Sequence, residues 1–369
     1  MNLTAHLNEL NLPEAAAFRG LVERLRSMPE RMPAADLTGR IMAAVDAERG
    51  RARRRPLSPW WGLGAAAVLT VALSLVSVYR NGCKCGTPPP DGLSWLAAAQ
   101  EPDGSWSPAK YGGAEAYRPA LTALAALALA RAPDSRYAPQ LQRACAALAS
   151  LQTADGAFGG RGREQFYNHA LAAFALATLY PGQPSLKPTL ERAVAFSRAR
   201  QTAEGGWDYE PQSEGNTAMT AWQVRALACA SRQGFAEAQI PLRKGLRWLR
   251  GSAREDGSVA YHRTSSACSD SLAALAAYAL IADGKAFPGL PELGRRVAGS
   301  LRALPAAGEG ADCYRDYAKT LAFESAGAGA QAEAVRRQMA VQQKAGCRDQ
   351  WESVGGRLYT TALTLLAAR

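Results

Sequence analysis

The sequence predicts an all-α protein in which a series of helical hairpins follows a single membrane-spanning helix. Three observations support this: alanine- and leucine-rich runs fill a chain that is 48% apolar, one loop signature recurs with glycine spacings of 52, 49 and 52 residues, and residues 60–79 carry no charge. With charged residues at only 20% of the 369, the composition excludes a mostly disordered chain and a small disulfide scaffold.

Residues 1–56 contain two short amphipathic stretches separated by prolines. Apolar side chains recur there at helical spacing: Phe18, Leu21, Leu25 and Met28 in the first stretch, and Leu37, Ile41, Ala44 and Val45 in the second. Two helices of this length bury little surface by themselves, so we expect this segment to bind a partner protein. The alternative is that its basic end lies against anionic lipid head groups.

Residues 57–80 are predicted to form a transmembrane helix. A helix of twenty residues that rises 1.5 Å per residue spans the roughly 30 Å hydrocarbon core of a bilayer. Aromatic residues stand at both ends of the uncharged run, and five arginines lie at positions 49–55. The positive-inside rule then predicts a single-pass protein of the cell membrane with a cytoplasmic N-terminus and a large extracytoplasmic domain. A buried core helix or a signal peptide is the alternative.

Residues 81–92, with three successive prolines, are predicted to be a stiff linker. The net charge of +11 is concentrated partly in the arginine run before the membrane helix. Because the domain after the linker would lie outside the cytoplasm, we expect no nucleic acid partner.

The rest of the chain, residues 93–369, repeats a loop of the form Q-x-x-x-G-x-(W/F). Its complete copies are Gln100, Gly104 and Trp106; Gln152, Gly156 and Phe158; and Gln201, Gly205 and Trp207. An alanine-rich segment of helical length follows each loop, and a more polar one precedes it. One such hairpin cannot bury its apolar face alone, so about six must stack as an open solenoid or close into a ring, with the apolar helices inside.

These loops and helices resemble the repeat of squalene-hopene cyclases and protein prenyltransferase β subunits. The resemblance implies an (α/α)6 toroid in which the glutamines and aromatic residues of the motif join neighbouring repeats and are primarily structural. It also implies an enzyme acting on an isoprenoid lipid, but the sequence departs from both enzyme classes. The acidic D-x-D-D segment of the cyclases is missing, and no histidine follows Asp312 and Cys313 to complete a zinc site of the prenyltransferase type.

We therefore expect no catalytic residue, no metal and no cofactor, and a site that binds an unknown small molecule or protein. If the inner helices run parallel, their first turns meet at one mouth, where helix N-termini favour polar or anionic groups. The residues predicted to line this mouth are His169, Thr220, Trp222, His262, Asp270, Asp312, Tyr314, Tyr317 and Tyr359. The alternative is that they cap helices or pack between them.

A short cytoplasmic module, one span and an outer domain is also the layout of membrane-bound anti-sigma factors. The stretches Leu12–Phe18 and Pro33–Ile41 resemble the helices of that family, although no cysteine precedes Cys83 to form its zinc motif. This resemblance implies a sensor or regulator whose residues 1–56 bind a sigma factor. The alternatives are a membrane-anchored terpene cyclase or prenyltransferase-type enzyme and a structural scaffold of the envelope.

Overall fold

The computed structural model describes residues 92–209, 213–304, 310–344 and 352–368. Within these ranges the chain is helical and contains no named strand. Its α-helices are α1 (Gly92–Ala98), α2 (Arg118–Leu129), α3 (Ala138–Ser150), α4 (Gln165–Leu179), α5 (Lys187–Ala199), α6 (Thr217–Arg232), α7 (Gln239–Ser252), α8 (Asp270–Tyr278), α9 (Leu290–Ser300), α10 (Cys313–Ser325), α11 (Gly329–Lys344) and α12 (Glu352–Ala367).

The even-numbered helices form a closed inner ring. Each of them packs against the next even-numbered helix, and α12 packs against α2. The odd-numbered helices pack on the outside of this ring, most of them against two neighbouring inner helices, as α3 does on α2 and α4. The predicted all-α toroid of hairpins is confirmed for the described residues.

The inner helices are buried on nearly all sides because they have neighbours in the ring and in the outer layer. In α2 every residue from Pro119 to Leu129 is buried, whereas α3 buries only four of its thirteen. Alanine suits the inner positions since it lets helices approach closely and has the highest helix propensity. Between α8 and α10, a 2.6 Å ion pair joins Asp270 Oδ2 to the fully buried ammonium group of Lys319.

The ring closes where the end of the chain meets its first repeat. The Ala114 backbone N–H donates to the Val354 carbonyl at 2.8 Å, and the Arg131 guanidinium donates to the Leu366 carbonyl. Gly356 interrupts α12 with φ of +62°, and a Cβ there would collide with the Tyr111 carbonyl. The glycine therefore permits the close backbone contact that completes the ring.

None of the described helices has the combination of length and apolar character that a bilayer-spanning segment needs. The predicted transmembrane helix at residues 57–80 and the cytoplasmic segment 1–56 lie outside the described residues. Both stay predictions.

Candidate functional site

The glutamine of each complete repeat motif bridges two hairpins. The Gln100 amide donates to the carbonyls of Gly104 and Gln140, both at 2.9 Å. Gln152 and Gln201 make the same pair of bonds, within their own loop and to the first turn of the next outer helix, at 2.8–3.1 Å. Carbonyl groups that the loops leave unpaired are thereby satisfied.

The glycine of each motif allows the loop to touch the next outer helix. Gly104 and Gly156 have φ of +86° and +89°, a region that side chains disfavour. A Cβ at either position would overlap the backbone carbonyl of Arg143 or Arg192 on that helix. Close packing and the left-handed turn therefore both require glycine.

The aromatic residues of the motif are sealed between the two helix layers. Trp106 and Trp207 are fully buried, and their indole N–H groups donate to the carbonyls of Leu96 and Ser197, each at 2.8 Å. Their backbone N–H groups donate to the hydroxyls of Thr122 at 3.1 Å and Thr220 at 3.0 Å. The indole and backbone N–H groups of both tryptophans are therefore already paired.

Phe158 occupies the same position in the second repeat, and His169 packs beside it. The two rings lie 5.8 Å apart, and the Phe196 ring lies 4.5 Å from His169 on the other side. His169 Nε2 is 2.8 Å from the Ser197 hydroxyl, which in turn donates to Gln223 at 2.9 Å. Burial lowers the pKa of His169 to about 3. The imidazole is therefore a neutral part of the interface between layers.

Two predicted ligand residues thus point away from the centre of the ring. Thr220 and His169 contact the loops and the outer layer rather than the axis. Successive helical residues are rotated by about 100°, so positions two residues away lie on nearly the opposite side. The residues that face the centre are accordingly Trp222, which was also predicted, and Tyr167, which lies two positions before His169.

The centre of the ring holds a cavity of about 170 Å³. Six aromatic side chains and a set of aliphatic ones line it: Tyr117, Tyr167, Tyr209, Trp222, Tyr314 and Tyr359, with Ala120, Leu121, Leu124, Leu171, Val354 and Leu363. Tyr117 and Tyr209 lie in the segments before α2 and α6, and the others come from α2, α4, α6, α10 and α12, mostly from the first half of their helices. The cavity therefore lies toward the end at which the inner helices begin.

The polar groups of the cavity wall are phenol hydroxyls and one indole N–H. Trp222 Nε1 donates to the Tyr314 hydroxyl at 2.8 Å, which connects α6 to α10 across the ring. The Tyr167 hydroxyl lies beside those of Tyr209 and Tyr314. Burial raises the pKa of all three tyrosines, so their phenols stay protonated. The wall is neutral and can exchange hydrogen bonds with an uncharged ligand.

The structure places Trp222, Tyr314 and Tyr359 together at this cavity and the other predicted residues elsewhere. Asp270 pairs with Lys319, and Asp312 caps α10 by accepting from the Arg315 backbone N–H at 2.9 Å. Tyr317 is 3% exposed and is not among the lining residues. Asp270 and Asp312 therefore make structural contacts, and Tyr317 is buried outside the cavity wall.

His262 lies in a partly exposed loop cluster. Its Nδ1 is 3.1 Å from the Gly215 carbonyl, 3.6 Å from Asp208 and 3.8 Å from Glu214. Its ring packs edge-on against Tyr261 and is not part of the cavity wall. Within the described residues, no three His, Cys, Asp or Glu side chains are grouped so that they could share a metal ion.

The site prediction missed Tyr209 and Arg225. Tyr209 follows the third motif by two residues, and its ring lies 6.5 Å from that of Tyr167. Arg225 lies in the middle of α6 and is the charged residue among the buried residues of that helix. A charged side chain at such a position is the sequence signal that identifies it, because burying an unpaired charge is costly.

Comparison with known proteins supports the fold. The family model for the squalene-hopene cyclase C-terminal domain matches residues 118–270. The GH76A alpha-1,6-mannanase from Salegentibacter sp. HEL1_6 superposes with a TM-score of 0.54 at 10% identity, covering 75% of this chain and 96% of that one. An inactive double-substituted variant of the same mannanase, in complex with alpha-1,6-mannotriose, gives 0.54 at 11% identity with the same coverage. Among curated proteins none matches.

These findings and the closed ring together identify residues 92–368 as containing a squalene cyclase-like helical toroid. At 10–11% identity, the likeness to the mannanase concerns the fold alone.

Proposed function

We propose that the toroid is a non-catalytic ligand-binding domain of a membrane-anchored regulatory protein. The observation that supports ligand binding is the central cavity, whose wall combines six aromatic rings with phenol hydroxyls. Apolar walls with a few directed polar groups are typical of small-molecule sites. The proposed ligand is uncharged, with an apolar body and a hydroxyl or carbonyl group.

The volume sets the size of that ligand. An apolar protein cavity of about 150 Å³ accommodates benzene, whereas sites for drug-sized ligands occupy roughly 300–1,000 Å³. At about 170 Å³ the cavity fits one ring or a short branched chain. It is too small to enclose a folded squalene chain, which argues against the terpene cyclase alternative.

The chemistry of the wall also argues against catalysis. Glycoside hydrolysis needs two carboxyl groups about 5–9.5 Å apart, and alkene protonation needs a strong acid in the cavity. None of the described residues that line the cavity bears a carboxyl group. The mannanase therefore shares the fold of this domain without lending support to a glycosidase function.

The binding proposal is tested by titrating the full-length protein, reconstituted in lipid nanodiscs, with neutral alcohols from cyclohexanol to geraniol. Calorimetry is expected to detect saturable binding of at least one, and mass analysis is expected to recover every alcohol unchanged. Squalene and farnesyl diphosphate are included as probes for the enzyme alternative. Conversion of either, or no binding of any alcohol, would overturn the proposal.

The regulatory part of the proposal rests on the predicted membrane helix and on residues 1–56. We propose that this segment binds a cytoplasmic regulatory protein, with a sigma factor as the specific candidate. The full-length chain, purified from membranes of its native host, is expected to retain that factor. Leu21→Glu or Ile41→Glu places a charge on a predicted apolar stripe and is expected to release it.

Glu23→Lys is the matched control, because it changes a charge outside the stripe that contains Leu21. Retention by this control and loss in the two stripe variants would support the regulator. Retention of no specific protein by the wild-type chain would leave residues 1–56 as a tether and contradict the regulatory role.

A further inference from the structure

Arg225 is an unpaired cation inside the ring. Its residue surface is 9% exposed, and its Nε has no hydrogen-bond partner. Across the described residues no carboxylate lies within ion-pair distance of the guanidinium and no hydrogen bond from it is present. A buried charge without a partner is costly, so its retention calls for a compensating group.

The position of Arg225 places it on the axis side of α6. Its guanidinium carbon lies 4.4 Å from the centre of the Phe174 ring on α4 and 4.2 Å from that of Tyr278 on α8. Contacts with both neighbouring inner helices direct the side chain into the ring. Phe174 and Tyr278 are only half-buried, so solvent reaches this level.

This level adjoins the central cavity, because the guanidinium carbon of Arg225 also lies 5.8 Å from the centre of the Trp222 ring in the cavity wall. Arg225 follows the cavity residue Trp222 by three positions, and Phe174 follows the cavity residue Leu171 by three. Three residues advance a helix by about 4.5 Å and return to a similar face. Arg225 therefore lies roughly one turn beyond the aromatic cavity, toward the end at which the inner helices finish.

The charges nearby leave an excess of one positive charge. The carboxylate of Asp283 interacts electrostatically with Arg225, but its Oδ1 is paired at 3.2 Å with Arg232. The other oxygen of Asp283 is buried without a partner. Two arginines thus share one carboxylate, and a single added anion would balance them.

The rings restrict how such an anion can bind. The guanidinium carbon lies over both rings at 4.2–4.4 Å from their centres, so the rings occupy two of the directions from which an anion could approach the N–H groups. A planar carboxylate binds an arginine edge in the guanidinium plane with two parallel hydrogen bonds. A tetrahedral phosphate also needs space outside that plane, and the two rings restrict the space around the guanidinium.

We propose that Arg225 is the anchor of a second ligand site that binds a small monocarboxylate between Phe174 and Tyr278. The site lies beside the central cavity, and its ligand is a different molecule from the neutral ligand proposed there and from any cytoplasmic partner. Its ligand is a flat carboxylic acid whose apolar part contacts the two rings.

The test uses the full-length protein in nanodiscs and chloride-free buffer, with acetate, benzoate and inorganic phosphate as probes at equal ionic strength. Calorimetry is expected to show benzoate binding more tightly than acetate, and phosphate more weakly than either. At saturating benzoate, the midpoint of thermal unfolding is expected to rise by about 5 °C.

Three variants identify the residue. Arg225→Gln is expected to weaken benzoate binding at least tenfold, while Arg136→Gln, which removes an exposed arginine paired with Asp134, leaves it unchanged. Arg225→Lys keeps the charge but cannot donate two parallel hydrogen bonds, so it is expected to lose most of the affinity for benzoate. This variant replaces Arg225→Gln in the test if the glutamine variant does not fold. Absence of carboxylate binding to the wild type, equal binding by the Arg225 variants, or phosphate binding as tight as benzoate would each overturn the site.

Discussion

The toroid uses aromatic side chains in two regions with opposite outcomes. Between the helix layers, Trp106 and Trp207 are fully buried and donate their indole N–H groups to backbone carbonyls. At the centre of the ring, tyrosines such as Tyr167 and Tyr359 are half-buried and line an open volume. Motif aromatics are therefore sealed into the interface between the layers, whereas aromatics outside the motif line the cavity.

The largest expected effect separates these two regions by stability. Trp207→Ala removes a fully buried indole and leaves the Ser197 carbonyl without its donor, so it is expected to reduce the free energy of unfolding by about 3–5 kcal/mol. Tyr359→Phe, in the cavity wall, is expected to cost less than about 1 kcal/mol. Urea titration followed by circular dichroism measures both. Similar losses of unfolding free energy in the two variants would contradict the distinction between the sealed interface and the cavity wall.

His169 predicts an acid sensitivity of the interface between layers. Burial lowers its pKa from an ordinary value near 6.5 to about 3, so the unfolded chain takes up a proton that the folded chain excludes. Stability from this group is present above pH 6.5 and is lost as the pH falls. Relative to His169→Gln, the wild type is expected to lose about 3 kcal/mol of unfolding free energy between pH 7 and pH 4.

That difference is read from urea titrations of the two proteins at each pH, so that all other titrating groups cancel. A constant gap between wild type and His169→Gln across this range would mean that the imidazole is solvated. His169 would then belong to the open region at the centre of the ring rather than to the sealed interface between the helix layers.

Asp283 predicts a dependence of the opposite sign near the Arg225 level. Burial raises its pKa to about 6, so the folded chain holds a proton there that the unfolded chain releases above pH 4. Relative to Asp283→Asn, the wild type is expected to gain about 2–3 kcal/mol as the pH falls from 7 to 4. A fall in the unfolding free energy of the wild type relative to Asp283→Asn over the same pH range would show that Arg232 and Arg225 keep the carboxylate ionised.

The smallest effect compares a complete motif with a decayed one. Gln152→Ala removes two hydrogen bonds to carbonyls and is expected to cost about 1–2 kcal/mol. Gln342, which keeps the glutamine of the motif without its aromatic partner, lies on α11, and Gln342→Ala is expected to change stability by less than about 0.5 kcal/mol. Equal losses in thermal unfolding would show that the decayed copy still joins two repeats.

Much of the fold follows from the sequence because its signals are local. The period of the loops predicts the hairpins, and the contrast between an alanine-rich segment such as α2 and a mixed one such as α3 predicts which layer each occupies. Glycines such as Gly104 and Gly156 identify the turns, since their left-handed conformation is required there.

The candidate site is predicted less completely from the sequence, and helix geometry explains most of the errors. Inner helices are buried on nearly every face, so their pattern of apolar residues does not distinguish the side toward the axis from the side toward the outer layer. Aligning the repeats predicted similar heights along the ring for Thr220 and His169. It did not predict the direction of their side chains, because residues two positions apart on a helix point to nearly opposite sides. Tyr209 was missed for a different reason, because it lies in the loop after the third motif and not on an inner helix.

The central claim is that the aromatic cavity is the binding site, and filling it tests that claim most directly. Leu363→Trp adds a ring at a buried lining position, whereas Val341→Trp adds the same ring at a position on α11 that is 60% exposed. Calorimetric titration of both with the neutral alcohol that binds the wild type best is the measurement. We expect binding to be lost in Leu363→Trp and kept in Val341→Trp, with both proteins folded by circular dichroism. Undiminished binding by folded Leu363→Trp would contradict the account.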